Sequence, residues 1–194
     1  MKKIFFLAGL LMLSSLLKAH GPNFGIKAGL NLASVYGKNI TTDYGFKPML
    51  HAGALAHIHI NEHFALQPEL LFSGQGATYK LSGSDGRLCL NYIIVPVLLQ
   101  YMFSNGLRLE TGPQLGALIS AKTKFESITT DVKDNYDMLD FSWAFGVGYV
   151  TESGFGVDAR ITPGMSDIRK NEPPRLSNCV IALGLFYQFK GAAE

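Results

Sequence analysis

The chain alternates bulky apolar residues with small or polar ones, position by position, in segment after segment. Period two places alternate side chains on opposite faces of a strand, and a helical pattern cannot produce it. In 141–150, Phe141, Trp143, Phe145, Val147 and Tyr149 share one face, and Ser142, Ala144, Gly146 and Gly148 the other. In 155–164, Phe155, Val157, Ala159 and Ile161 stand opposite Gly156, Asp158, Arg160 and Thr162. At the C-terminal end, Ile181, Leu183, Leu185, Tyr187 and Phe189 alternate with Ala182, Gly184, Phe186 and Gln188. Eight such segments follow one another, near 24–36, 48–60, 64–79, 88–103, 107–122, 140–151, 154–164 and 177–189.

The first 19 residues read differently. Lys2 and Lys3 precede a short apolar run from Ile4 to Leu13, and small or polar residues follow up to Ala19. This is the layout of a secretory signal peptide, and the run is short of the roughly 20 residues a spanning helix needs. Cleavage after Ala19 is expected, leaving residues 20–194 as one domain, and no cysteine near that point suggests a lipid anchor. The longest later apolar stretch, 92–103, is also short and contains Pro96. A mature chain that enters a membrane must therefore cross it as strands.

Composition narrows the class further. The 194 residues are 47% hydrophobic and 16% charged, with 21 glycines, which excludes a disordered chain and disfavours a helical bundle. Without Lys2, Lys3 and Lys18 the mature chain carries 14 basic against 15 acidic residues, so no basic footprint for nucleic acid exists. Two cysteines cannot build a disulfide framework.

The connections sort by length. Asn61–His63, Ser104–Gly106 and Glu152–Ser153, next to Gly154, are tight turns, whereas about 37–47, 80–87, 123–139 and 165–176 are longer. Strict alternation of short and long connections matches outer-membrane barrels, with short periplasmic turns and longer external loops. The expected fold is an all-β, eight-stranded, antiparallel, up-and-down transmembrane barrel. Bulky residues then face lipid and small or polar ones face the lumen. Phe24, Tyr36, Phe64, Tyr101, Phe103, Tyr149, Tyr187 and Phe189 lie towards strand ends, as aromatic girdles do. A soluble lipocalin-like barrel is the alternative, with the aromatic face inside.

In this register Lys27, Glu69, Arg108, Glu110, Asp158 and Arg160 point inwards, three of each sign. Charges in a narrow lumen must pair, so a structural network is expected, with Asn31, Gln67 and Gln114 filling its remaining hydrogen bonds. A barrel of eight strands is just filled by its own side chains, so no wide channel is expected.

Several segments resemble the PorT-type outer-membrane β-barrel family. They are FGIKAGLNLASVYG at 24–37, HFALQPELLFSGQGA at 63–77, NYIIVPVLLQY at 91–101, GLRLETGPQLGALISAK at 106–122 and FGVGYVTESGFGVDARITPGMSDI at 145–168. The closing GLFYQF ends in Phe189, resembling the strand end that the barrel-insertion machinery reads; here it is followed by Lys190 to Glu194. The chain has Ile94 where members of the family often carry an acidic residue two before the proline. Most members of that family have no assigned activity; the balanced lumen charges and the absence of catalytic spacing favour a non-enzymatic barrel, with outer-membrane lipid and the insertion machinery as partners. The resemblance also implies an envelope or secretion protein partner, since the name-giving member is implicated in secretion.

Other chemistry has weaker signals. His51, His57 and His59 share one face of the second strand, and the last two have a spacing that allows two metal ligands, but no third ligand is placed beside them. His51, Asp43, Asp140, Ser82 and Ser84 are candidates for an external rim site, without triad spacing. Glu126, Asp131, Asp134 and Asp137 make 123–139 acidic, without a calcium-loop pattern. No catalytic, cofactor or metal residue is therefore assigned, and no cofactor is expected. A small passive pore and a rim-active enzyme are the alternatives to a structural or interaction barrel. Cys89 and Cys179 are expected on opposite walls, too far apart to bond.

Overall fold

The computed structural model describes residues 21–37, 42–81, 84–126, 128–170 and 175–189. The expected signal segment and the residues after Phe189 lie outside these. Eight long strands dominate: β1 (Asn23–Gly37), β2 (Lys47–His59), β3 (Phe64–Leu81), β4 (Ser84–Met102), β5 (Leu107–Phe125), β6 (Leu139–Val150), β7 (Phe155–Pro163) and β8 (Leu176–Gln188). Each pairs antiparallel with its sequence neighbours. The ring closes between β1 and β8, from Gly25 opposite Gln188 to Gly37 opposite Leu176. Closure leaves no free edge along the wall, which a bilayer requires.

Two of the longer connections differ from the sequence expectation. Residues 80–87 form no open loop, because β3 and β4 stay paired up to Leu81 opposite Ser84. In 123–139, β5 runs on to Phe125, and a short strand, Ile128–Asp131, folds back on it. A 3-10 turn, Lys133–Asn135, follows. Period two persists past the apolar belt here, and the polar residues of these segments read as loop although their backbone is extended. A further short strand, Tyr44–Gly45, pairs with Tyr79 and Thr78.

The turns at the other end are tight. Asn61 accepts hydrogen bonds from the backbone amides of His63 and Phe64 at 2.9 and 2.8 Å. Gly106 has φ +89°, a conformation that disfavours residues with a side chain. In β5 one extra residue forms a bulge: Asn91 faces Ser120 while Tyr92 faces Leu118, leaving Ile119 without a partner on β4.

The outer surface is apolar from β1 round to β8. Leu30, Leu50, Leu70, Leu115, Phe145, Val157, Leu183 and Leu185 are all exposed there. The periplasmic end carries the aromatic ring expected of a girdle. Phe64, Tyr101 and Phe103 meet edge to face, and Tyr187 packs against Phe155 and Phe189. A uniformly polar lumen does not form. Its external half is apolar, with Val35, Leu71, Ala77, Leu88, Leu90, Tyr92, Ile94, Leu118 and Ala121 packed together. Ile168, from the connection after β7, is fully buried in this cluster. Tyr44, Tyr79, Val132 and Tyr136 cover it.

Candidate functional site

Deeper in the barrel the interior turns ionic. Lys27, Glu69, Glu110, Asp158 and Arg160 are buried and close together. All five come from odd-numbered strands, β1, β3, β5 and β7. Arg160 donates from Nη1 and Nη2 to the two oxygens of Glu69, each at 2.7 Å. Its Nε donates to Glu110, and its Nη2 reaches Asp158 at 3.3 Å. Lys27 pairs with Asp158 and lies 3.9 Å from Glu69. β3 and β7 are opposite walls, so the Arg160–Glu69 pair crosses the lumen.

The even-numbered strands make room for these charges. Gly146 sits opposite both Glu110 and Arg160, and Gly184 opposite Asp158. A Cβ at Gly146 would lie 2.7 Å from a Glu110 oxygen, and one at Gly184 would lie 2.6 Å from an Asp158 oxygen. The small-residue face of β6 and β8 is thus the space the ion cluster occupies.

Neutral partners complete the layer. Gln67 donates to Glu69 at 2.7 Å, and Gln100 to Glu110 at 2.9 Å. Asn31 and Gln114 bond elsewhere. Asn31 donates to Ser73 at 3.0 Å and to the Gly74 carbonyl at 2.8 Å, and Gln114 donates to Ser142 at 3.0 Å. Arg108 is buried but stands outside the cluster. Its guanidinium is 3.5 Å from His57 Nδ1 and 3.3 Å from Gln188, nearer the periplasmic end. It has no carboxylate within ion-pair distance among the described residues. A cavity of about 30 Å³, enough for about one water, lies between the ionic and apolar halves, lined by Lys27, His51, Ser73 and Gln75 among others.

The histidines do not gather at a rim. His51 is buried mid-barrel, with Nδ1 2.8 Å from Asn31 Oδ1. His57 and His59 touch edge to face, 4.5 Å between ring centres. No group of three or more His, Cys, Asp or Glu is arranged to hold a metal among the described residues. The rim candidates are scattered. Asp140 is buried, accepting from Ser166 at 2.7 Å and Asn178 at 2.9 Å; Ser84 lies 3.3 Å from Glu126; Ser82 is outside the described residues. In the acidic segment, Asp131 accepts the amide of Lys133 at 3.0 Å. Cys89 and Cys179 form no disulfide and face outwards on β4 and β8, four strands apart.

Sequence reasoning missed Gln100, whose inward register on β4 was the available signal. It also missed the apolar external half. In the external half of β4 the alternation is reversed, with Leu88, Leu90 and Tyr92 inward and Arg87, Cys89 and Asn91 outward, whereas nearer the middle Ile93, Ile94 and Val95 make both faces aliphatic.

A closed eight-stranded wall, apolar outside and crossed by ion pairs inside, defines a small outer-membrane β-barrel. The chain belongs to the outer membrane protein beta-barrel domain family, whose sequence profile matches residues 15–170. In shape it is similar to the attachment invasion locus protein Ail of Yersinia pestis, at 15% identity and TM-score 0.52, covering 87% of this chain and 99% of Ail. It is also similar to Neisserial surface protein A, at 13% identity and TM-score 0.57, covering 88% of this chain and 100% of that one. At such identities the likeness is one of fold. No curated protein matches the sequence.

Proposed function

We propose that this protein is a non-enzymatic barrel of the PorT-like type, with its lumen shut, whose external loops or periplasmic turns engage an envelope or secretion protein. The observation that carries this reading is the Arg160–Glu69 pair across the lumen, backed by the apolar layer around Ile168. Two seals of opposite chemistry leave no continuous wet path for a solute. Lys27, Glu69, Glu110, Asp158 and Arg160 pair with one another rather than standing poised around a reactive centre. In this reading residues 1–19 are an export signal removed before assembly. The insertion machinery reads the β8 end at Phe189, and outer-membrane lipid covers the apolar belt.

The test is extraction from outer membranes in mild detergent, followed by bilayer recording. A stoichiometric envelope protein that leaves when the external segment 123–139 is shortened, together with a non-conducting barrel, is the expected result. A lone barrel that conducts small ions steadily would replace this reading with a passive pore.

A further inference from the structure

Lys47, the first residue of β2, is buried at the external end of the wall. A buried ammonium is normally matched by a carboxylate. Among the described residues Lys47 has none. Its Nζ donates to the Leu88 carbonyl at 3.0 Å and lies 2.7 Å from Cys89 Sγ.

That separation belongs to no ordinary contact. An N–H···O bond spans about 2.7–3.2 Å, and sulfur is the larger atom, so an N–H···S contact must be longer. A direct sulfur–nitrogen bond must be shorter than a disulfide, at about 2.0 Å. The gap between Lys47 and Cys89 fits one interposed atom the size of oxygen.

The surroundings make room for this approach. β2 and β4 are separated by β3, whose residue opposite Cys89 is Gly76. Gly76 has φ +120°, and a Cβ there would lie 2.2 Å from the Leu88 carbonyl oxygen, the one that Lys47 uses. Pairing between β2 and β3 ends at His51 opposite Ser73 and resumes only at Gly45 opposite Thr78. Lys47 crosses at this interruption.

We propose that Lys47 and Cys89 form an oxygen-bridged covalent link, Nζ–O–Sγ, which clamps β2 to β4 over Gly76 at the external rim. The oxidant is dioxygen. The lysine ammonium first gives a proton to water. The amine and the thiol then each lose one hydrogen, and sulfur and nitrogen each give up two electrons. One oxygen atom becomes the bridge, and the other leaves with the two hydrogens as water. Two equivalents of a dithiol return four electrons and regenerate thiol, amine and water.

The test uses the full chain from aerobically grown cells, unfolded in detergent so that both thiols are accessible. Cys179 serves as internal control. Without reductant, iodoacetamide is expected to label Cys179 and leave Cys89 largely unlabelled; after dithiothreitol both are labelled. Proteolysis without reductant should give the Lys47 and Cys89 peptides joined, at their summed mass plus one oxygen less two hydrogens. Cys89→Ser and Lys47→Met should each abolish the joined species, and Lys47→Met should restore labelling of Cys89. Equal labelling of Cys89 and Cys179 without reductant would overturn the proposal. A joined pair lacking the oxygen would also overturn it, since that is a direct sulfur–nitrogen bond.

Discussion

Arg160 on β7 and Glu69 on β3 face each other across the barrel and share two parallel hydrogen bonds of 2.7 Å. The fork geometry uses both carboxylate oxygens, and the remaining guanidinium donors go to Glu110 and Asp158. Replacing one member leaves the others buried and unmatched. Glu69→Gln or Arg160→Met should therefore cost about 3–5 kcal/mol of stability, read by urea unfolding from lipid vesicles. Arg160→Lys should recover only part of it, because a point charge cannot serve three carboxylates. Wild-type stability in either variant would mean that the cluster is not a single unit.

Gly146 should tolerate no side chain. A methyl group there lies 2.7 Å from Glu110, 2.8 Å from the Arg160 side chain and 2.9 Å from the Ala159 carbonyl. Gly146→Ala is expected to lose about 1–3 kcal/mol by overpacking. The same change at Gly21, which has nothing within 4 Å, should leave the unfolding midpoint unchanged.

Ile168 fastens its connection to the barrel mouth from inside. Its amide donates to the Leu176 carbonyl at 2.8 Å, and its carbonyl accepts from Asp137 at 2.9 Å. Ile168→Ala should cost about 2–5 kcal/mol. It should also make the connection after β7 an early site of protease cleavage in intact outer membranes. Unchanged cleavage would show that the surrounding hydrogen bonds suffice alone.

Tyr136, in the external connection after the 3-10 turn, has its phenol pushed up to about 12, first by burial and next by Tyr44. The folded state holds this proton more tightly than the unfolded chain, whose tyrosines titrate near 10. The Tyr136 contribution is thus fully present below pH 10 and is lost as pH rises from about 10 to about 12. Alkaline unfolding monitored by circular dichroism should show that fall, and Tyr136→Phe should flatten it.

The lipid belt has its own test. Leu183 is exposed in the middle of β8, and Leu183→Arg should cost roughly 2–4 kcal/mol when the protein folds into vesicles. Lys124→Gln, at the exposed external end of β5, should cost almost nothing. Equal effects would put the apolar face somewhere other than in lipid.

Much of this was legible in the chain, for a physical reason. A barrel wall couples every residue to one of two solvents with period two, so Lys27, Glu69, Glu110, Asp158 and Arg160 declare their face by parity alone. What parity lacks is height and depth. It put Arg108 with the other charges, although it reaches towards His57 and Gln188 instead. It placed His51 at a rim, although it lies mid-barrel beside Asn31. It read 80–87 as loop because Lys80, Asp85 and Arg87 are polar, yet a ladder above the membrane can be paired and wet at once. The Lys47–Cys89 approach had no sequence signal, since it depends on where one ladder breaks.

The unpartnered Ile119 in β5 sets the phase of everything beyond it. Before it, even-numbered residues point inwards as far as Leu118; after it Ala121 is inside, and Lys122 and Lys124 are outside. Pairing Ile119 with Asn91 in an unbroken ladder would act on the wall as a frameshift acts on a reading frame. Every later side chain of the strand would change sides, and two ammonium groups would be aimed at Leu88, Leu90 and Tyr92. The barrel keeps its dry upper chamber by one syncopated beat in an otherwise regular count.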